Sequence, residues 1–245
     1  MKMLSSPRNM KVNCGSDAYV ATNRDVGVAP TKYFDDFHDK VMGYDDNSQT
    51  RIGKQKYIMA NNDQQLIAAT QAWLKTIIIH YSICPFAKHE LERGSIRFSV
   101  DHDTEIERCL VNLMVECDRL DSDASIETTL LIYDRAFTSF DDYLDFLELA
   151  ETLLIDEDYE GVYQLASFHP DYCFEGAKQD DPANYTNRSP YPMLHLLRET
   201  SIDRAVDTYP NTENIPQRNI ELTRDLGLAK MQALLAACYQ SNIGK

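Results

Sequence analysis

Glycine and proline are scarce in this chain. There are nine of each in 245 residues, together about 7% against the roughly 12% usual in soluble proteins. The length excludes a peptide-scale scaffold, and the composition suits a globular, helix-tolerant protein. Positive charge is also in short supply: 24 Lys and Arg face 39 Asp and Glu, a formal net charge of −15. Such a surface repels phosphate backbones and anionic membranes, so neither nucleic acid nor membrane is an expected partner. No apolar run approaches the roughly eighteen residues of a membrane span, and no basic start leads into a signal-like apolar stretch. A cytoplasmic location is the resulting expectation. The six cysteines (Cys14, Cys84, Cys109, Cys117, Cys173, Cys238) include no C-x-x-C pair, which excludes a zinc ribbon or disulfide framework by pattern and favours reduced thiols. In a chain without a secretory signal, the overlapping sequons at Asn184 and Asn187 are chance.

Charge is unevenly placed along what remains. Residues 1–62 carry nine basic and seven acidic side chains, whereas residues 121–160 carry one and thirteen. The first segment reads as a polar, partly disordered extension with a short helical piece near Tyr33 to Met42. The acidic run reads as the solvated face of a helix. Residues 63–245 read as a single α/β domain.

In that domain, Asp63 is a candidate N-cap, and Leu66, Ile67, Thr70, Trp73, Leu74, Ile77 and Ile78 recur at helical spacing to about Ser82. Pro85 suits the first position of a short helix, 85–93, capped by Cys84 and stopped by Gly94. A strand is expected at Ile96 to Val100, a helix at Thr104 to Leu120, a strand at Thr128 to Tyr133, a helix at Ser139 to Ile155 and a strand at Gly161 to Phe168. Strands alternating with helices favour parallel neighbours, so the expected fold is α/β, with a small, mainly parallel sheet of three to four strands and a helical C-terminal part. Ser189 and Pro190 resemble the N-cap and first residue of a helix at 190–200, followed by helices near 201–208, 216–225 and 228–240.

Chemistry has three candidate places. Cys84, at a helix N-terminus near Lys88, meets two influences that lower a thiol pKa and make it a candidate nucleophile; a small buried hydrophobe is the competing role. The stretch 169–189 is too long for an ordinary connector and ends at Arg188, where a following helix N-terminus would favour an anion. Asn184, Asn187 and Ser189 add hydrogen-bonding side chains. On a helix, Tyr191, His195 and Arg198 would fall at i, i+4 and i+7 as one polar stripe completing a phosphate or carboxylate pocket. His169 closes the third strand at the carboxyl edge, where ligands of parallel sheets bind, and has a pKa suited to acid–base work. The His and Cys spacings at His80/Cys84 and His169/Cys173, with His89 and His195 elsewhere, do not form a zinc motif, and no metal is expected.

Cys84-Pro-Phe-Ala, Tyr163-Gln-Leu-Ala-Ser-Phe-His-Pro, Asn184-Tyr-Thr-Asn-Arg-Ser-Pro-Tyr-Pro, Leu194-His-Leu-Leu-Arg-Glu and Ile215-Pro-Gln-Arg-Asn together resemble the bacterial domain-of-unknown-function 1415 family (DUF-1415), over about residues 63–227. The resemblance implies domain boundaries and no reaction or cofactor. Cys-Pro-Phe-Ala also resembles the single-cysteine motif of glutaredoxin-like proteins, which requires a strand at Thr76 to Ile83. Three readings follow. The first is a small-molecule enzyme, of hydrolase or transferase type, whose Cys84, His169 or His195 acts on an anionic ligand held by Asn184, Asn187, Arg188, Ser189, Tyr191 and Arg198. The second is a binding or protein-interaction module using the same pocket without turnover. The third is a thiol-redox protein. Cofactors and protein partners are left unassigned.

Overall fold

The computed structural model describes residues 52–240. The expected helical piece at Tyr33 to Met42 and most of the expected extension lie outside the described residues. Seven α-helices and four strands form the described part. They are α1 (Ile52–Trp73), α2 (Ala87–Arg93), β1 (Ile96–Asp101), α3 (Ile106–Ser122), β2 (Thr128–Tyr133), α4 (Phe140–Asp156), β3 (Tyr163–Phe168), β4 (Met193–Arg198), α5 (Glu199–Thr208), α6 (Ile215–Leu226) and α7 (Leu228–Gln240). No described helix is long and apolar enough to cross a membrane.

The strand order is β1-β2-β4-β3. β1 and β2 pair in parallel, while β4 is antiparallel to both β2 and β3. The strands read from the β-α-β-α-β pattern, β1 to β3, therefore run the same way, with their carboxyl ends at one edge. The sheet as a whole is not mainly parallel, because β4 inserts between β2 and β3 and turns two of the three pairings antiparallel. Residues 190–200, expected as a helix, instead hold that strand, Met193–Arg198, and the first residues of α5. The strand's position between two others buries both faces, which removes the alternation that normally marks a strand.

The side chains of each strand alternate between two packed faces. Leu130, Ile132, Met193 and the flanking Ile96, Phe98, Val100 and Phe168 join Trp73, Ile77, Ile78, Ile83, Met231 and Cys238 in one apolar core. The other face meets α3 and α4. There Arg97 makes a two-pronged pair with Glu116, Nε to Oε2 at 2.7 Å and Nη2 to Oε1 at 3.0 Å, and Ser99 Oγ donates to the same carboxylate at 2.9 Å. Glu116 is buried, so this triple bonding supplies what desolvation of the carboxylate requires.

Helix α1 runs straight through Asp63 instead of starting there. Past Trp73 it widens into a π-helical turn, Leu74–Ile79, and then unwinds to Ser82, which takes a left-handed φ of 53°. The widened turn keeps Trp73 buried and edge-on to Phe168 at 5.2 Å. Its indole N–H donates to Arg188 O at 2.9 Å, which ties the helix to the long loop after β3.

Candidate functional site

The loop from His169 to Ser189 spends its polar side chains on its own backbone. Asn184 is fully buried. Its Oδ1 accepts from the Phe174 N–H at 3.1 Å, and its Nδ2 donates to Lys178 O at 2.8 Å. Asp181 caps the 3-10 turn Pro182–Thr186 by accepting from the Ala183 N–H, and Arg224 of α6 clamps the same carboxylate at 2.6 Å. Asn187 Nδ2 donates to Ser167 O at 3.1 Å. Ser189 Oγ donates to Tyr191 O at 2.6 Å, bending the chain into β4. No helix N-terminus follows Arg188. Instead its Nε donates to Tyr172 O at 3.0 Å and its Nη2 to Gln179 O at 2.9 Å, while the guanidinium lies 4.9 Å from the Tyr185 ring centroid. These partners are all neutral.

The expected Tyr191–His195–Arg198 stripe does not form, because three residues along a strand turn the side chain to the other face. His195 faces the Trp73 side and its Nε2–H donates to Thr128 Oγ1 at 2.7 Å. The threonine hydroxyl donates its own hydrogen bond to Leu196 O, so the neutral Nε2–H form of the ring is the one this geometry takes. Although the residue as a whole is only half-buried, its imidazole is closely surrounded by protein, and burial pushes the pKa down to about 4. Arg198 projects from the opposite face at the far end of β4. It bonds Leu120 O and Ile126 O and closes the loop between α3 and β2. Tyr191 packs edge-on to Tyr239 at 5.8 Å.

His169 does stand at the carboxyl edge, but both ring nitrogens are taken. Nε2–H donates to Phe137 O at 2.8 Å, and Nδ1 accepts from the Asp171 N–H at 3.0 Å. The ring lies against Phe140 and Tyr143 of α4, on the face opposite His195, and burial holds its pKa below the usual value. Cys84 is not an N-cap: α2 starts at Ala87 with Phe86 before it. Its side chain packs against the apolar core, and the residues before it are helical and turn-like instead of a strand. The glutaredoxin-like motif therefore lacks the strand it requires. His169 and His195 thus lie on opposite faces of the sheet, while Arg188 bonds loop carbonyls and Cys84 packs on the core.

A different set of groups meets at the carboxyl ends of β1 and β2. His102 follows β1, Asp134 follows β2 and Asp63 projects from α1. Asp63 Oδ1 lies 2.7 Å from His102 Nε2. Asp134 Oδ2 lies 2.9 Å from Nδ1, an ion-pair contact in which the oxygen stands off the ring's N–H direction. The side chain of Asp134 is 7% exposed and that of Asp63 38%, so the row has an inner and an outer carboxylate. Burial works against a charged His102, yet the bonds and charges of Asp134 and Asp63 outweigh it and raise its pKa. Arg135 Nε stands 3.5 Å from Asp134 Oδ2, and the Tyr191 hydroxyl, raised mainly by burial, also feels that carboxylate. Beneath the row, register partners Asp101 and Tyr133 are buried with Oδ2 and Oη outside any hydrogen bond among the described residues. Burial raises the pKa of both. No described group of three or more His, Cys, Asp or Glu side chains is placed to hold a metal ion.

The histidine singled out in the sequence, His169, ends β3, whereas the carboxylate–histidine row stands at the ends of β1 and β2. The argument that singled out His169 applies equally to Asp101-His102-Asp103 at the end of β1, while Asp63 was hidden by its expected role as a helix cap. His102 and His169 are separated by three strand spacings, roughly 14 Å, so the two strand-end histidines belong to different surroundings. No curated protein and no solved structure matches the chain. The family model described as "Protein of unknown function (DUF1415)" matches residues 65–233, most of the described chain, and the protein therefore belongs to that family.

Proposed function

We propose that the protein is an acid–base enzyme of hydrolase or transferase type acting on a small polar molecule at the carboxyl edge of β1 and β2. The observation that carries this reading is His102 held between Asp134 and Asp63 at 2.9 and 2.7 Å. A buried carboxylate that orients a histidine, with a more accessible oxygen on its other nitrogen, is the arrangement by which imidazoles exchange protons with a reacting group. Asp134 lies beside the ring and supports its charge. A substrate hydroxyl or water replacing Asp63 at Nε2 would give up or receive the proton.

The test is turnover of p-nitrophenyl acetate and p-nitrophenyl phosphate by the wild type, His102→Gln and Asp134→Asn. Loss of a positioned acid–base group costs about 10²- to 10⁴-fold, and His102→Gln is expected in that range. Equal turnover by His102→Gln overturns the assignment. A wild type inert on both probes favours a second reading, anionic-ligand binding without turnover. Arg188 supports that alternative, since its cation has only neutral partners among the described residues.

A further inference from the structure

The row Asp63–His102–Asp134 joins three separate elements: α1, the turn after β1 and the loop after β2. A charged imidazole carries two N–H groups, one for each side of the row, whereas a neutral one carries a single N–H and a lone pair. With carboxylate oxygens at 2.7 and 2.9 Å from the two nitrogens, either neutral tautomer turns its lone pair toward one of those oxygens. Two carboxylates then share a ring that no longer compensates either charge.

We infer that His102 is a pH-sensitive latch: while the ring is protonated it pins the α1 segment around Asp63 to the carboxyl edge of the sheet, and loss of the proton releases that segment. This is independent of the acid–base reading, since it concerns how the helix is held and not what is turned over. The charged and titratable groups around the ring are Asp63 from α1, Asp101 and Asp103 flanking it in the chain, Asp134 and Arg135 after β2, and Tyr191 ahead of β4. Asp103 is occupied by Arg108 Nε at 2.7 Å, and Arg135 reaches the Asp134 side of the row, 3.5 Å from Oδ2. Asp63 is thus the member whose hold depends on the ring's own charge. The released stretch ends at Leu66 and Ile67, which pack into the core and anchor the rest of the helix.

Amide hydrogen exchange of residues 62–67, followed across the titration of His102 in the full chain, tests this. The protection factors are expected to fall roughly tenfold as the ring deprotonates, the factor matching the low end of the net worth of one hydrogen bond to a charged group. His102→Arg, charged at every accessible pH, keeps them high on both sides of the transition. Asp63→Asn, which alters only a half-exposed helix position, abolishes the step. Protection that stays constant in the wild type through the titration overturns the latch, as does an Asp63→Asn variant with the same step as the wild type. Because exchange and not turnover is read, the outcome is separate from that of the catalytic reading.

Discussion

Replacing His169 with leucine removes a ring that is 1% exposed and that serves two backbone groups, Phe137 O at 2.8 Å and the Asp171 N–H at 3.0 Å. Leucine fills most of the space, so the cost is dominated by the two orphaned groups. The buried Phe137 carbonyl left without a partner costs about 1–3 kcal/mol, and the Asp171 N–H, on an exposed residue, adds less. A loss near 3 kcal/mol corresponds to a drop in Tm of about 6–12 °C for a domain of this size. His169→Gln, with one donor and one acceptor at comparable reach, is expected to lose less than half as much. Urea unfolding at pH 7, read as a shift in midpoint at constant slope, measures both. The pH dependence has a definite sign. Burial lowers the folded pKa of His169, so below about pH 6.5 the unfolded state binds the extra proton and native stability falls. The leucine variant lacks that penalty, and its deficit is expected to be smaller at pH 5 than at pH 7. A His169→Leu protein within about 0.5 kcal/mol of the wild type, the range of ordinary surface substitutions, would refute the reasoning. Loss of turnover alongside would return His169 to catalysis.

Two further outcomes follow from the same geometry. His195, whose pKa is pushed down to about 4 by burial, stays neutral in the folded state while its unfolded counterpart protonates below about pH 6.5, so up to about 3 kcal/mol of stability is lost between those values. Acid unfolding of His195→Asn is expected to show a shallower dependence there, and an unchanged profile would contradict the assigned burial. Cys84→Ala is expected to cost about 1 kcal/mol through lost packing and to leave turnover of any p-nitrophenyl probe intact. A variant that folds normally and is inactive would restore the thiol as nucleophile.

The sequence was legible where local and tertiary preferences agree. Thr128–Tyr133 emerged at its observed bounds, as did the last helix, Leu228–Gln240, because β-branched runs and helical periodicity were each matched by the burial the fold imposes. It was illegible at 190–198. There Ser189-Pro190 imitates a helix start, and a central strand buried on both faces shows no alternation. That one misreading also produced the imagined Tyr191–His195–Arg198 stripe and, through the missing β4, the mainly parallel sheet. The loop from His169 to Ser189 stands out in the sequence as polar and too long for an ordinary connector. Its polarity, however, holds the loop together: Asn184, Asn187 and Arg188 bond carbonyls and amides that would otherwise be buried without partners. His102 escaped because its meaning depends on Asp63 and Asp134, 39 and 32 positions away in the sequence: the pairing of β1 with β2 brings Asp134 beside it, and α1 supplies Asp63.

His102 is held as a cation between two carboxylates. A nitrogen-15 NMR titration of its imidazole in the full-length protein tests it most directly. Both ring nitrogens are expected to remain protonated above the ordinary histidine value of 6.5, and Asp63→Asn and Asp134→Asn are each expected to lower the midpoint. A ring that titrates at or below 6.5, indifferent to both substitutions, would contradict it.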